Sequence, residues 1–184
     1  MTRRARIAVT ICVLAGVQLA AIGVYLAVQR SRTAPPASQF AAERSSIPER
    51  APAITARRAD GSTVSIAWPA PRARIVHFWG TWCPPCVKEL PSLLAFAREM
   101  RGRGLEVVAI AVEDDWKDIA AFFGGRIPPE VVVETDAAAH KRLGVSTLPD
   151  TYLVDKDGRV LERYHGARDW GSSVAREHVL ARLR

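Results

Sequence analysis

Residues 75–86 read Ile-Val-His-Phe-Trp-Gly-Thr-Trp-Cys-Pro-Pro-Cys, and the fold turns on how this stretch is divided. Ile75 to Trp79 is a run of branched and aromatic residues, the composition of a buried strand. From Cys83 the period changes. Cys86, Leu90, Leu93, Leu94 and Ala97 recur at helical spacing, while Lys88, Glu89, Ser92 and Glu99 fall between them. Gly102 and Gly104 end that helix. A strand therefore hands over to a helix through a turn that carries two cysteines.

Working outward, Leu105 to Val112 is a second buried strand. Trp116 to Phe123 is expected as a helix closed by Gly124-Gly125, and Val131-Val132-Val133 as a short strand. Asp136 caps a helical stretch to Leu143, stopped by Gly144. Thr151–Val154 and Val160–Tyr164 flank Lys156-Asp157-Gly158, a hairpin signal, and Trp170 to Leu183 closes the chain as a helix. Upstream, Ala53–Arg58 and Thr63–Ala67 flank Asp60-Gly61, a second hairpin. This order predicts an α/β domain over residues 51–184, with a mixed central sheet, helices on both faces and an N-terminal β-hairpin.

The N-terminus is different. Met1 to Arg6 is basic, and Ile7 to Val28 carries no charge. Twenty-two residues at helical rise give about 33 Å, enough for a hydrocarbon core of about 30 Å. A cleaved signal peptide has a shorter apolar run and small residues at its cleavage site, so an uncleaved transmembrane anchor is expected. Arginines on both flanks put the N-terminus in the cytoplasm by a small margin, with the bulk of the protein outside. Residues 29–50, with Pro35, Pro36 and Pro48, are expected as a linker of up to about 70 Å when stretched. Cys12 lies inside the apolar run and is given no chemistry.

Of 184 residues, 48% are apolar and 24% charged, the balance of a folded globule. The net charge of +7 owes five of its positive charges to arginines within residues 1–32, which hold no acid. No nucleic-acid partner is therefore expected. Three cysteines cannot form a disulfide scaffold, and structural zinc needs about four ligands, which four scattered histidines do not supply.

What remains for Cys83 and Cys86 is redox use. Cys83 at a helix N-terminus meets unpaired amides and the helix dipole, which favour its thiolate. It attacks a partner's disulfide, and Cys86, one turn on, displaces the partner reduced. Pro84 and Pro85 fit the first turn, where their missing N–H groups cost no helical bond. They also remove two donors to the thiolate, which favours an electron-giving pair.

The run Phe78-Trp79-Gly80-Thr81-Trp82-Cys83-Pro84-Pro85-Cys86, with Glu89 and Pro91 after it, resembles thioredoxins. More narrowly, it resembles the TlpA/ResA group of membrane-anchored, extracytoplasmic thiol–disulfide oxidoreductases. The resemblance implies a thioredoxin-like fold and a cis-proline, matched by Pro149. The group often reads Pro-Thr-Thr-Phe there, and Pro149-Asp150-Thr151-Tyr152 departs from it, so Asp150 is expected to alter partner choice or the local field. Glu89 matches a glutamate that tunes the thiols, and Pro91 the proline of the active-site helix. His77 stands where thioredoxins carry a buried carboxylate, and a neutral imidazole there is expected to accept the Cys86 proton. Trp82 is expected as a rim aromatic beside the partner groove. His140, His165, His178 and the Glu113-Asp114-Asp115 cluster are expected at the surface.

The implied activity is reduction of protein disulfides at the periplasmic side of the inner membrane, the implied substrates being apocytochrome c cysteines before haem attachment, or metallochaperones and copper-site cysteines. A membrane thiol relay is the implied electron donor, and the redox-active disulfide serves without a separate cofactor. Two rivals remain. A copper(I) metallochaperone would use the same two sulfurs, without a Met- or His-rich tract beside them. A peroxidase would want threonine three residues before its cysteine, where Gly80 stands.

Overall fold

The computed structural model describes residues 15–23, 48–136 and 139–183. The chain divides into two units, Met1–Gln39 and Phe40–Arg184. In the first, residues 15–23 are helical, with Val17, Leu19 and Ile22 exposed. Among the described residues no helix is long and apolar enough to cross a membrane. The rest of the expected 7–28 span lies outside the described residues.

The second unit is built on one seven-stranded sheet. Its strands are β1 (Ile54–Arg57), β2 (Thr63–Ile66), β3 (Ala73–Trp79), β4 (Leu105–Ala111), β5 (Val131–Glu134), β6 (Asp150–Val154) and β7 (Val160–His165). They lie in the order β2-β1-β5-β4-β3-β6-β7. The β3–β4 and β4–β5 pairs are parallel and the others antiparallel, so the sheet is mixed as expected. The central strands are buried on both faces, which is why β3 and β4 show near-continuous apolar runs rather than alternation.

The pleat sends Ile75, His77 and Trp79 to one side and Val76 and Phe78 to the other. On the first side, helix α1 (Pro84–Met100) lays Leu90, Leu93, Phe96 and Met100 over the sheet. Ile119 of α2 (Trp116–Phe122) and Ala175 and Val179 of α4 (Ser173–Arg182) complete that layer. On the second side, Ala139 of α3 (Ala139–Arg142) and Leu143 pack with Ile54, Val76, Phe78 and Tyr152. Gly104, at φ 82°, ends the turn after α1 in a conformation that favours glycine and starts β4.

Three details differ from the sequence expectation. The C-terminal helix begins at Ser173, because the Ser172 hydroxyl caps it by accepting from the Ala175 N–H at 3.2 Å. Trp170 therefore precedes the helix and is fully buried in the α1 layer. Helix α3 is one short turn, shorter than the 136–143 stretch expected, with residues 137–138 outside the description. His140, expected at the surface, is buried, and its ring Nδ1 and backbone N–H meet the two oxygens of Glu134 at 2.7 and 2.8 Å.

Candidate active site

The site forms where parallel strands β3 and β4 end and α1 begins. Cys83 is the N-cap of α1, with Pro84 and Pro85 at the first two helical positions. It is bonded to Cys86 by a disulfide, with the two Cα atoms 5.3 Å apart. Cys86 is fully buried, while Cys83 keeps 5% of its surface. Cys83 is thus the sulfur a partner meets first. The chain reaches it through a tight turn closed by the Cys83 N–H to the Gly80 carbonyl at 3.1 Å. No side chain caps the helix and no acid lies in its first turn, so the helix dipole acts on Cys83 without a local counter-charge from α1.

Gly80 is dictated by its neighbour. A Cβ there would stand 2.7 Å from the Trp82 indole nitrogen. Trp82 lies over that gap and donates its indole N–H to the Val112 carbonyl at 3.2 Å, leaving the ring 55% exposed at the rim. A side chain at residue 80 would therefore require the indole to move. Trp79, below it, is fully buried against Phe122 and Phe123, with ring centroids at 5.9 and 6.1 Å.

The Leu148–Pro149 peptide bond is cis, as the resemblance implied; Trp68–Pro69 is a second cis bond that nothing in the sequence signalled. Pro149 directly precedes Asp150, which pairs with Phe78 across β3 and β6, so it flanks the strand end that leads into the cysteine loop. Asp150 itself does not face a partner. It is fully buried, and Arg163 donates to it through Nη2 at 2.6 Å and Nε at 3.0 Å. Tyr152 donates its hydroxyl to the same carboxylate at 3.0 Å. Asp150, expected to alter partner choice or the local field, thus stands in a buried ion pair at the start of β6.

Glu89, expected as a tuning residue, is 3% exposed. One oxygen accepts the indole N–H of Trp170, and the other, Oε2, is buried without a hydrogen-bond partner. Burial raises its carboxyl to about 7, with the Trp170 indole and the Arg168 backbone and guanidinium partly opposing. That value suits proton exchange near neutral pH.

His77 is also fully buried, with Nδ1 2.8 Å from the Thr151 hydroxyl and Nε2 unpartnered. Burial alone lowers its pKa to about 3. The imidazole is neutral, as expected, but far too weak a base to take a thiol proton.

In the acidic cluster after β4, Glu113 and Asp115 are exposed as expected, while Asp114 is half-buried. Asp114 accepts from the backbone N–H of Thr81 at 2.6 Å and from its hydroxyl at 3.0 Å, and Asp115 caps α2 by accepting from the Asp118 N–H at 2.9 Å. Sequence reasoning missed Asp114, Thr81 and Trp170. The signal for Asp114 was available: strands paired in parallel end on the same sheet edge, so the loops after β3 and β4 must meet. Among the described residues no group of three or more acidic, histidine or cysteine side chains is arranged to hold a metal.

A helix-capping cysteine, disulfide-bonded one turn on at the end of a central parallel strand, defines a thioredoxin-like thiol–disulfide oxidoreductase. The chain belongs to the Redoxin family, whose model matches residues 48–179. It is 28% identical over 127 residues to the thiol-disulfide oxidoreductase ResA of Bacillus thuringiensis (strain Al Hakam), covering 67% of this chain and 72% of that protein. Identity to the ResA of Bacillus subtilis (strain 168) is 30% over 115 residues, covering 61% and 63%. The ResA-like resemblance read from the cysteine loop is thus met across the domain. Among solved structures, StoA from Bacillus subtilis superposes with a TM-score of 0.57 at 21% identity, covering 73% of this chain and 98% of that one. A thioredoxin-family thiol:disulfide interchange protein from Chlorobium tepidum TLS gives 0.59 at 24% identity, covering 73% and 94%. These two likenesses speak for the fold.

Proposed function

We propose that this domain reduces protein disulfides, held at the extracytoplasmic face of the inner membrane by residues 7–28 and a linker over 29–50. The observation that carries the chemistry is the Cys83–Cys86 disulfide at the start of α1; Glu89, buried on the same helix with its carboxyl pushed up to about 7, supports a proton-accepting part in it. The uncharged 22-residue run supports the tether.

The reaction balances within two cysteine pairs. In the dithiol form, the Cys83 thiolate attacks one sulfur of a partner disulfide, and the partner's other sulfur leaves as a thiolate. Cys86 then gives its proton to the Glu89 carboxylate and attacks the Cys83 sulfur. The second partner sulfur leaves, and the enzyme closes its own disulfide. Two electrons have moved to the partner. A second dithiol protein returns them, and a membrane thiol relay fits that role. Apocytochrome c cysteines, reduced before haem attachment, are the substrate class we assign. Pro84 and Pro85 support the reductant direction, because neither supplies an N–H to the thiolate.

Cys86→Ala in the full chain is the direct test. It should freeze the reaction at the mixed disulfide through Cys83, and mass spectrometry of the captured proteins from a cell envelope should show haem-binding Cys-x-x-Cys-His segments. Capture of other disulfide proteins would overturn the substrate assignment, and no capture would overturn the reductant role.

A further inference from the structure

The loop that carries Cys83 is fastened to the loop after β4 by the Asp114 carboxylate and the Val112 carbonyl. Both oxygens of Asp114 are engaged. Oδ2 accepts the Thr81 backbone N–H at 2.6 Å, and Oδ1 accepts the Thr81 hydroxyl and the Asp115 backbone N–H, each at 3.0 Å. Two residues earlier, the Val112 carbonyl accepts the Trp82 indole. Between these acceptors Glu113 is exposed and holds a φ of 51°, a left-handed conformation that a non-glycine residue keeps only when its surroundings fix it. That single reversal lets residues 112 and 114 both serve the cysteine loop.

We propose that Asp114 is a positioning residue for the redox reaction, fixing Thr81 so that Cys83 is held at the start of α1 and opposing the Cys83 thiolate with its charge. The inference rests on the dithiol chemistry above and deepens it. In the dithiol form the helix N-terminus favours a Cys83 thiolate. A carboxylate fastened two residues before that sulfur disfavours it. Other titratable groups around the cysteine pair are Glu89 on α1, His77 on β3, and Glu113 and Asp115 beside Asp114. Destabilising the thiolate favours the disulfide, which makes the pair a stronger electron donor. No further reactant enters: the exchange remains dithiol plus partner disulfide giving disulfide plus partner dithiol.

Asp114→Asn is the discriminating change. A carboxylate can accept three donors on two oxygens, whereas an amide has one oxygen and an NH2 group. Whichever way it is turned, its NH2 meets the N–H of either Thr81 or Asp115. In the full-length protein, equilibration with a glutathione series should shift about tenfold toward the dithiol, which corresponds to about 30 mV. Iodoacetamide should alkylate Cys83 of the reduced variant about tenfold faster at mildly acidic pH. Thr81→Ser keeps both donors and should leave both readouts at wild-type values. Asp114→Ser, neutral but with one acceptor, should repeat the Asn result and serves if that variant does not fold. A lowered melting temperature with an unchanged glutathione equilibrium and alkylation profile would overturn the proposal. The wild-type protein in the same series reports the oxidoreductase chemistry by itself: a pair that does not exchange overturns that chemistry, whereas a pair that exchanges indifferently to residue 114 overturns this assignment.

Discussion

Trp170 gives its indole N–H to Glu89 from 81 positions away in sequence, and both groups are buried against the helix that carries the disulfide. The contact ties the C-terminal segment to the active-site helix through the one carboxylate on α1 that burial holds near neutrality.

The first consequence concerns pH. The Glu89 carboxyl is raised from 4.5 to about 7, so the folded state holds a proton that the unfolded chain releases between those values. The associated stability is fully present below about pH 4.5 and is lost as pH rises through 7. Glu89→Gln keeps the acceptor for Trp170 and removes the titration. Denaturant unfolding of the disulfide form should show the variant gaining on wild type by up to the order of 3 kcal/mol at pH 8, with no gain at pH 4.5. The same variant should reduce disulfides about a hundredfold more slowly, because Cys86 loses its proton acceptor.

His77 titrates in the opposite sense. Its pKa falls from 6.5 to about 3, so the unfolded chain binds a proton that the fold refuses. Stability is present above pH 6.5 and drains away as pH falls toward 3. His77→Asn should flatten that acid limb while costing about 1–3 kcal/mol at pH 7, from the altered packing and the Thr151 bond. Its pH–rate profile should keep the wild-type midpoint. A displaced midpoint would restore the histidine as the proton acceptor.

Asp150 and Arg163 form a buried pair, and removing the carboxylate takes away the counter-charge that faces the guanidinium. Asp150→Ala should cost about 3–5 kcal/mol in equilibrium unfolding. Asp150→Leu combined with Arg163→Met, which removes both charges, should recover most of that loss. Equal destabilisation in the single and double variants would show that packing rather than charge pairing dominates there.

Gly80→Ala places a methyl group where the Trp82 indole lies. The ring must leave the Val112 carbonyl, so the indole N–H resonance of Trp82 should move toward its free position in a nitrogen–proton correlation spectrum. A resonance that stays in place would mean that the loop backbone yields instead of the ring.

The fold was legible wherever one period ruled a segment. The switch from the apolar run of β3 to the helical spacing of α1 located the cysteines, and Asp60-Gly61 and Asp157-Gly158 located both hairpins. Glu89 could be named because it matches a glutamate of the TlpA/ResA group, one helical turn after Cys86. What escaped was tertiary. Trp170 and Asp114 are distant in sequence from what they bind, and nothing in their own segments says which way they face. His140 and Asp150 lie in polar surroundings that suggest solvent, and only the fold brings Glu134 and Arg163 to cover them. His77 was recognisable as a buried strand residue, yet its weakness as a base depends on how completely the core dries it.

The polypeptide joins the sheet beside the β6–β7 turn, where Arg50 bridges Arg159, the Gly158 carbonyl accepts from Ala51 and the Glu49 carbonyl from Val160. β6 begins at Asp150 near the cysteines and runs away from them to that turn, a distance of about 17 Å. A load entering the domain at Glu49 is therefore taken up at the end of β6 opposite Asp150.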